Sequence, residues 1–333
     1  MSSARAVYDS DRTQPFKVNP SPFPTYFFSH GGPNFIYDDH KGAWKTVKKL
    51  GTNIKNNWKP DYVLVVSAHW QSTGRNLIEI STPPPTKNTI ENPLIYDFYG
   101  FPSHMYREEF HTKNDAFVAQ SVKDHLIKNG FNSTLSNRGI DHGLWCPLKV
   151  AFTDYTTLKS GHPPAEGEFD VDFPVIQVSL TGSDSDFDNH YKLGKALNQF
   201  RENLIWDPTK KRYLKGALIM SGMSVHNLRD LGWMFANPGK SLPYTSKFNT
   251  LLTNTLTTSQ HLLESLNDIK KDNRLLLHSA HPTLEHFLPI VVGAGTVDDS
   301  KAIKELYNEN DGSLGWGIYQ FGSDYTTSTS QRQ

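Results

Sequence analysis

The sequence has little cysteine and no excess of charge of either sign. Cys146 is the only cysteine among the 333 residues, so the chain can form neither an intrachain disulfide nor a zinc cluster held by thiolates. The 34 Lys and Arg residues balance the 34 Asp and Glu residues. Proteins that bind nucleic acid or membrane surfaces usually carry a positive excess, and this balance argues against both kinds of partner.

Long hydrophobic runs are also absent from the sequence. The longest apolar stretches, such as Tyr62–Ser67 and Phe287–Ala294, are far shorter than the ~18 residues that a membrane span needs. Residues 1–20 contain no apolar segment typical of a secretory signal. We therefore expect a soluble cytoplasmic protein, and the hydrophobic fraction of 37% is enough for a folded core.

Short apolar segments alternate with longer amphipathic ones along the chain. The predicted strands are Thr25–Ser29, Tyr62–Ser67, Leu77–Ile80, Val175–Leu180, Ala217–Met220 and Gly317–Phe321. The predicted helices are Gly42–Ile54, Asn114–Lys128, Asn189–Leu204 and Ser246–Asn267. This alternation is typical of an α/β fold in which helices flank both faces of a central, mostly parallel or mixed sheet.

Three polar segments interrupt this pattern and are predicted to be loops: Thr82–Pro93, Lys159–Glu168 and Asn237–Pro243. The second is short, and the same pattern continues on both of its sides. We therefore expect a single domain over residues 21–323 with surface insertions. Residues 1–20 and 324–333 are predicted to be flexible terminal segments.

Histidines follow three of the predicted strands. His30 comes directly after the first strand, His69 comes two residues after the second, and His226 follows the fifth after a short connection. In an open α/β sheet, the carboxyl ends of parallel strands meet at one crevice where ligands bind. A single histidine at such a position is more typical of a structural residue, whereas three of them predict a shared site.

Two further segments carry histidines. His142 lies in a turn-rich segment, and His281 and His286 lie in a stretch that we expect to be helical from Pro282 to Pro289. Because five residues of a helix correspond to a rotation of about 140°, we expect only one of these two histidines to bind a shared ion.

The chemistry of imidazole defines what such a site can do. Neutral imidazole is a common ligand of zinc, iron, copper and nickel. Three imidazoles with open coordination positions can activate a water molecule, or can hold O2 and an organic chelate side by side. The residues alone leave both kinds of chemistry open.

Six sequence motifs resemble those of the class III extradiol ring-cleavage dioxygenases, in particular the 4,5-DOPA extradiol dioxygenase-like branch found in plants, fungi and bacteria. They occur in the same order over residues 24–322. The motifs are SHGGP (Ser29–Pro33), VSAHW (Val66–Trp70), YDFYGFP (Tyr96–Pro102), DHGLW (Asp141–Trp145), SGMSVHNL (Ser221–Leu228) and PTLEHFLP (Pro282–Pro289).

The resemblance implies one divalent metal ion per subunit, zinc or Fe(II), with His30, His69 and His286 as its ligands. His226 would then be the acid/base residue rather than a ligand, and His142 would lie near the substrate or O2. In the protocatechuate-type relatives the third ligand is a glutamate. Glu285 is therefore an alternative to His286.

The implied activity is the extradiol cleavage of a small, DOPA-like catechol by O2, which gives a ring-opened semialdehyde. Two other functions remain as alternatives at this point. One is a zinc-dependent hydrolase that uses a metal-bound water, since three imidazoles and a water form a known zinc arrangement. The other is a binding protein that kept the fold without the activity. The sequence predicts no particular oligomeric state.

Overall fold

Residues 14–85, 90–153, 168–298 and 300–325 are described by the structure, which is a computed structural model. Residues 1–13 and 326–333 of the two predicted terminal segments lie outside the described residues. So do residues 86–89 and 159–167, which belong to two of the predicted loops. The domain boundaries at residues 21 and 323 stay a prediction.

The strands of the described residues form one large sheet and two small ones. The large sheet has eight strands in the order β11-β14-β2-β9-β3-β6-β4-β5, and the small sheets have the orders β1-β7-β8 and β10-β13-β12. The strands are β1 (Phe16–Val18), β2 (Thr25–Ser29), β3 (Tyr62–Gln71), β4 (Leu77–Ser81), β5 (Asn132–Ser136), β6 (Val175–Leu180), β7 (Asn203–Asp207), β8 (Arg212–Leu214), β9 (Gly216–Gly222), β10 (Val225–His226), β11 (Ile303–Tyr307), β12 (Asn310–Asp311), β13 (Leu314–Gly315) and β14 (Ile318–Phe321).

The centre of the large sheet is parallel. Strand β2 pairs in parallel with β9, β9 with β3, and β3 with β6. Strand β14 pairs antiparallel with both β11 and β2, and β4 pairs antiparallel with β6. The sheet is therefore mixed with a parallel centre, and the carboxyl ends of β2, β9 and β3 lie side by side.

Helices connect most of the successive strands of the large sheet. The α-helices are α1 (Gly42–Asn53), α2 (Ala116–Lys128), α3 (His142–Phe152), α4 (Phe187–Glu202), α5 (Leu231–Ala236), α6 (Pro243–Thr258), α7 (Leu262–Asp272), α8 (Arg274–Ala280) and α9 (Leu288–Ala294). Short 3-10 turns occur at Pro33–Tyr37, Ser103–Arg107, Leu228–Asp230 and Ser300–Ala302, and a π turn occurs at Ile54–Trp58. None of the described helices has the length and hydropathy that crossing a membrane requires.

Neighbouring side chains of the central strands enter two different cores. Phe27 of β2 and Leu64 of β3 belong to a buried cluster with residues of α2, α4, α6 and α9. Phe28 and Val65 belong to a second cluster with residues of α1 and α3. Because successive side chains of a strand point to opposite faces, helices cover both faces of the sheet. The predicted α/β fold class is confirmed.

Two predicted helices have different boundaries in the structure. The segment Ser246–Asn267 is not one helix, since α6 and α7 are separated by residues 259–261. The backbone of Ser259 is extended there, and its hydroxyl accepts a hydrogen bond from the backbone N–H of His261. Serine competes for backbone groups in this way and so interrupts helices. The other segment, Asn189–Leu204, corresponds to α4, which ends two residues earlier because β7 begins there.

The segment from Pro282 to Pro289 is not the helix that the sequence predicts. The backbone turns over residues 282–287, and α9 begins only at Leu288. Pro289 therefore lies in the first turn of α9, where its missing N–H costs no helical hydrogen bond. Pro289 therefore lies at the start of a helix, whereas the sequence predicts that it ends one.

Candidate metal centre

Three histidine rings point their Nε2 atoms at one another near the carboxyl ends of the parallel strands. The Nε2 atom of His69 lies 3.3 Å from Nε2 of His30 and 3.2 Å from Nε2 of His286. One ligand atom from each of the three lies within 4.8 Å of the others. The structure thus brings together the three residues that the family resemblance implies as ligands. Their binding of a metal stays a prediction.

The strand-end reasoning placed His30 and His69 correctly at one edge of the sheet, because β2 and β3 are parallel. The expected position of His69 beyond its strand is wrong, since β3 continues to Gln71. The register of β3 with β6 shifts between Val66 and Gln71. Such an irregularity changes the direction of the side chains, and it occurs where His69 turns towards the cluster.

Two of the three rings donate their Nδ1 protons to carboxylates on the side away from the cluster. Nδ1 of His69 lies 2.9 Å from Oδ2 of Asp97, and Nδ1 of His286 lies 3.0 Å from Oε1 of Glu285. An ionised carboxylate only accepts hydrogen bonds, so both Nδ1 atoms carry the proton. Each Nε2 atom is then left with a lone pair that faces the cluster.

The third ring reaches the same tautomer through a serine. Nδ1 of His30 lies 2.9 Å from Oγ of Ser221, whose hydroxyl donates its single proton to the backbone carbonyl of Gly143. The serine must therefore accept a hydrogen bond from His30. The carbonyl of Gly143 has no helical partner, because Pro147 lies four residues on in α3 and has no N–H.

Three lone pairs that face one another repel unless a cation lies between them. Ligand atoms ~2.1 Å from one ion at tetrahedral angles lie ~3.4 Å apart, which is close to the two Nε2–Nε2 distances in the cluster. Burial lowers the pKa of His30 and of His286 well below the usual range, so both rings stay neutral, as the binding of a metal would require. The donor set fits a single divalent ion of the kind that imidazole prefers.

The pKa of His69 is shifted in the opposite direction. Burial lowers it, but the hydrogen bond to Asp97 and the charge of Asp141 outweigh burial, and the pKa is raised. These carboxylates increase the basicity of the ring, which would strengthen it as a metal ligand.

Glu285 occupies a supporting position beside His286. Its Oε1 atom accepts from Nδ1 of His286 and also from the hydroxyl of Thr283, 2.9 Å away. Another group with ligand atoms close together consists of His226, Glu285 and His286. The Nε2 atom of His286 points at His69, however, so the geometry favours this histidine over Glu285 in the three-histidine cluster.

The ring of His226 stacks on the ring of His286. The ring centroids lie 3.5 Å apart and the planes differ by 15°. His226 belongs to β10, a short strand paired with β13, and it is not a member of the converging trio. Burial, together with the nearby His281 and His69, lowers the pKa of His226 to about 3. The ring is therefore neutral near pH 7 and has a lone pair available to accept a proton.

Asp97 joins His142 to His69. Its Oδ1 atom lies 2.9 Å from Nδ1 of His142 and accepts from the backbone N–H of the same residue at 2.9 Å, while Oδ2 faces His69. Burial disfavours the charged carboxylate, but the hydrogen bonds from His142 and His69 outweigh this and lower the pKa of Asp97. Burial lowers the pKa of His142, although the hydrogen bond to Asp97 opposes this.

Helix α3 begins at His142. The prediction that this segment is rich in turns is therefore wrong from His142 onward. The fully buried carboxylate of Asp141 precedes the helix and accepts hydrogen bonds from Ser67 of β3, at 2.8 Å, and from Gln177 of β6. These bonds fix the helix to the sheet. A Cβ atom at Gly143 would lie 2.5 Å from Cδ2 of His69, so only glycine permits this approach.

A cavity of about 820 Å³ opens beside the histidine cluster. His69, His142, His226 and His286 line it together with Asp97. Four of the five predicted site residues therefore face one cavity. The fifth residue, His30, is buried and does not line the cavity, and its Nε2 atom is directed at His69.

Sequence reasoning missed the roles of Asp97 and Ser221. Both lie in motifs that carry the family resemblance, but neither has a spacing that marks it as the partner of a particular histidine.

His281, which shares a motif with His286, lies outside the cluster. Its Nε2 atom donates to the carbonyl of Ser224 at 2.9 Å, so its ring has a structural contact.

Comparison with known proteins finds a matching family and relatives that cover most of the chain. A family model described as the catalytic LigB subunit of aromatic ring-opening dioxygenase matches residues 24–322. A protein from Beta vulgaris named 4,5-DOPA dioxygenase extradiol is 31% identical over 309 residues, which covers 92% of this chain and 97% of the relative. A 4,5-DOPA dioxygenase extradiol-like protein from Schizosaccharomyces pombe is 28% identical over 322 residues, with 92% of this chain and 93% of the relative covered.

The fold is also similar to a solved structure. The crystal structure of an uncharacterized protein from Escherichia coli K12 superposes with a TM-score of 0.63 and 22% sequence identity. The match covers 90% of this chain and 100% of the other. At this identity, the likeness concerns the fold.

Proposed function

The chain belongs to the family of the catalytic LigB subunit of aromatic ring-opening dioxygenases, and we propose that it cleaves the ring of a catechol-type aromatic with O2 at one divalent metal ion. The observation that carries the proposal is the convergence of three Nε2 lone pairs from His30, His69 and His286 beside an open cavity. His226 and His142 line the same cavity as candidates for proton transfer.

The three ligand histidines would hold the ion on one side and leave its cavity side open. A redox-active ion such as Fe(II) would supply the transfer of electron density from a catechol to O2, whereas Zn²⁺ would fit the same donors without redox chemistry. Asp97, Ser221 and Glu285 keep the ligand rings in the tautomer that this requires.

His226 would take a proton from a catechol hydroxyl. The ring stacks on His286 and lines the cavity beside the cluster, where the substrate would bind. Its lowered pKa keeps it neutral before the substrate binds. The oxygen that loses its proton becomes an anion next to the ring, and this negative charge raises the pKa of His226 during the transfer. His226 can later return the proton to the opening ring.

His142 would stabilise negative charge on the other side of the cavity. Its Nδ1 atom is bonded to Asp97, so its Nε2 atom donates a hydrogen bond only when the ring is protonated. Burial lowers the pKa of His142, so this form is favoured only when negative charge develops in the cavity, with Asp97 as its ion-pair partner. The pair can therefore stabilise an anion that develops in the cavity.

The test is oxygen uptake after anaerobic loading with Fe(II). Catechols, L-DOPA among them, are added to the loaded protein, air is admitted, and O2 consumption is followed with the absorbance of a yellow semialdehyde. We expect one O2 per product, because both oxygen atoms enter the product and no external reductant is needed. No uptake with any catechol would overturn the proposal and favour a zinc-dependent hydrolase.

A further inference from the structure

Outside the histidine cluster, the walls of the cavity are mainly apolar. Aromatic and aliphatic side chains form most of the lining, including Phe98, Phe101, Leu228, Met234, Phe235 and Trp316. The volume of about 820 Å³ lies in the range of ~300–1,000 Å³ typical of sites for drug-sized ligands. The cavity therefore has room for a catechol ring and a large substituent.

The charged groups of the lining are already paired. Besides the histidines, the cationic residue of the described lining is Lys41, whose ammonium lies 3.0 Å from Asp311 and 3.8 Å from Asp38. It also lies over the ring of Trp316, 5.0 Å from the centroid. The carboxylate of Asp97 is bonded to two histidines. Neither group is free to pair with a charged substituent.

One wall of the cavity leaves apolar side chains open to solvent. The segment directly after His226 supplies this wall through Leu228, Leu231, Met234 and Phe235. Leu228 is 54% exposed and Phe235 is 74% exposed. If a catechol ring binds next to His226, an apolar substituent on that ring would extend along this wall and cover its exposed side chains.

We propose that the cavity accepts catechols with an uncharged, apolar substituent in preference to the zwitterionic substituent of DOPA. The proposal rests on the proposed function, since it concerns the substrate of the same site. A zwitterion placed against this wall would lose part of its hydration, while the charged groups of the described lining stay paired with each other, which is unfavourable. Each methylene buried on the wall improves affinity about fourfold.

The first experiment measures binding to the metal-free protein, so that it does not depend on turnover. 4-Alkylphenols of increasing chain length are titrated while tryptophan fluorescence is followed, because Trp316 lines the cavity. We expect Kd to fall about fourfold for each added methylene. We also expect 4-propylphenol to bind at least tenfold more tightly than L-tyrosine, which has the same ring and a charged substituent. Equal or tighter binding of L-tyrosine would overturn the proposal.

The second experiment places the substituent. Phe235→Ala should weaken the binding of 4-hexylphenol about tenfold and leave the binding of phenol unchanged. Leu275→Ala is the matched control, because Leu275 is an exposed apolar residue of α8 that does not line the cavity. If Phe235→Ala has no more effect than Leu275→Ala, the wall does not bind the substituent.

Assays of turnover distinguish a failure of this proposal from a failure of the proposed function. The Fe(II)-loaded protein is assayed with catechol, 4-propylcatechol and L-DOPA, and we expect the highest kcat/KM with 4-propylcatechol. If no catechol is cleaved while the alkylphenol series still binds as expected, the proposed activity fails and the apolar subsite stands. If catechol is cleaved but L-DOPA is preferred over 4-propylcatechol, the proposed activity stands and the apolar subsite is refuted.

Discussion

The imidazole of His226 lies flat against the imidazole of His286, with ring centroids 3.5 Å apart and 15° between the planes. The two rings nevertheless differ in their surroundings. Nδ1 of His286 is bonded to Glu285 and its Nε2 points at His69, whereas His226 lies outside the three-histidine cluster. This contrast predicts that the two histidines have separable roles.

Replacement of His226 should remove turnover and leave the metal in place. His226→Phe keeps a flat ring over His286 but has no nitrogen to move a proton, so we expect a loss of about 10²–10⁴-fold in kcat. Metal content per subunit, measured by elemental analysis, should stay at the wild-type value. A variant that loses its metal would show that His226 is a ligand and that the assignment of the trio is wrong.

The third ligand can be identified by comparing two neighbouring residues. His286→Ala should abolish tight metal binding, because it removes one of three converging Nε2 atoms. Glu285→Gln should weaken metal affinity only about 10–100-fold, as expected for a residue that orients a ligand. Competition with a chelator measures both affinities. The reverse order, with the greater loss in Glu285→Gln, would identify the glutamate as the ligand.

Asp97 should matter for metal affinity and for proton chemistry together. Asp97→Asn replaces an acceptor of hydrogen bonds from both His69 and His142 by an amide, so we expect metal affinity to fall about 10–100-fold. Glu91→Gln is a matched control, because the exposed Glu91 accepts from the half-buried His111 at 2.6 Å in a similar carboxylate–histidine pair away from the cavity. Similar chelator sensitivity of the two variants would show that Asp97 does not support the site.

Much of the site follows from the sequence, because the motif resemblance identifies histidines and the alternation of elements predicts parallel strands that bring His30 and His69 together. The partners of these histidines do not follow from it. Asp97 reaches His69 from a segment without regular periodicity, and no spacing rule connects them. Helix α3 is hidden because Gly143 and Pro147 both disfavour helices. Tertiary contacts explain both residues. Gly143 allows close packing on His69, and Pro147 leaves the carbonyl of Gly143 free to accept from Ser221.

Gly143 should be intolerant of even a methyl group. In an open helix, Gly→Ala stabilises by roughly 1 kcal/mol. At Gly143 the new Cβ atom would lie 2.5 Å from His69 and 2.7 Å from Oγ of Ser67, so we expect a net loss of stability and weaker metal binding. Gly232→Ala in α5 is the control, because no heavy atom lies within 4 Å of its Cβ position. Thermal unfolding with and without metal measures both effects, and a stable Gly143→Ala variant with normal affinity would contradict the packing argument.

His281 should make the stability of the metal-free protein depend on pH. Burial lowers the pKa of His281 to about 4, whereas an unfolded histidine has a pKa near 6.5. Between these values the unfolded chain binds more protons than the folded protein, so stability falls as the pH drops from 6.5 to 4. The loss from this one residue is on the order of 3 kcal/mol.

The variant His281→Gln isolates this contribution from that of the other buried histidines. Glutamine can still donate a hydrogen bond to the carbonyl of Ser224, which His281 contacts at 2.9 Å, but it does not titrate. We therefore expect the free energy of unfolding, measured in urea at pH 7, 6 and 5, to fall less steeply for the variant than for the wild type. The difference in slope should correspond to up to one fewer proton taken up on unfolding. His261→Gln changes an exposed histidine and should leave the wild-type slope intact. If both variants keep that slope, burial does not hold His281 neutral in the folded protein.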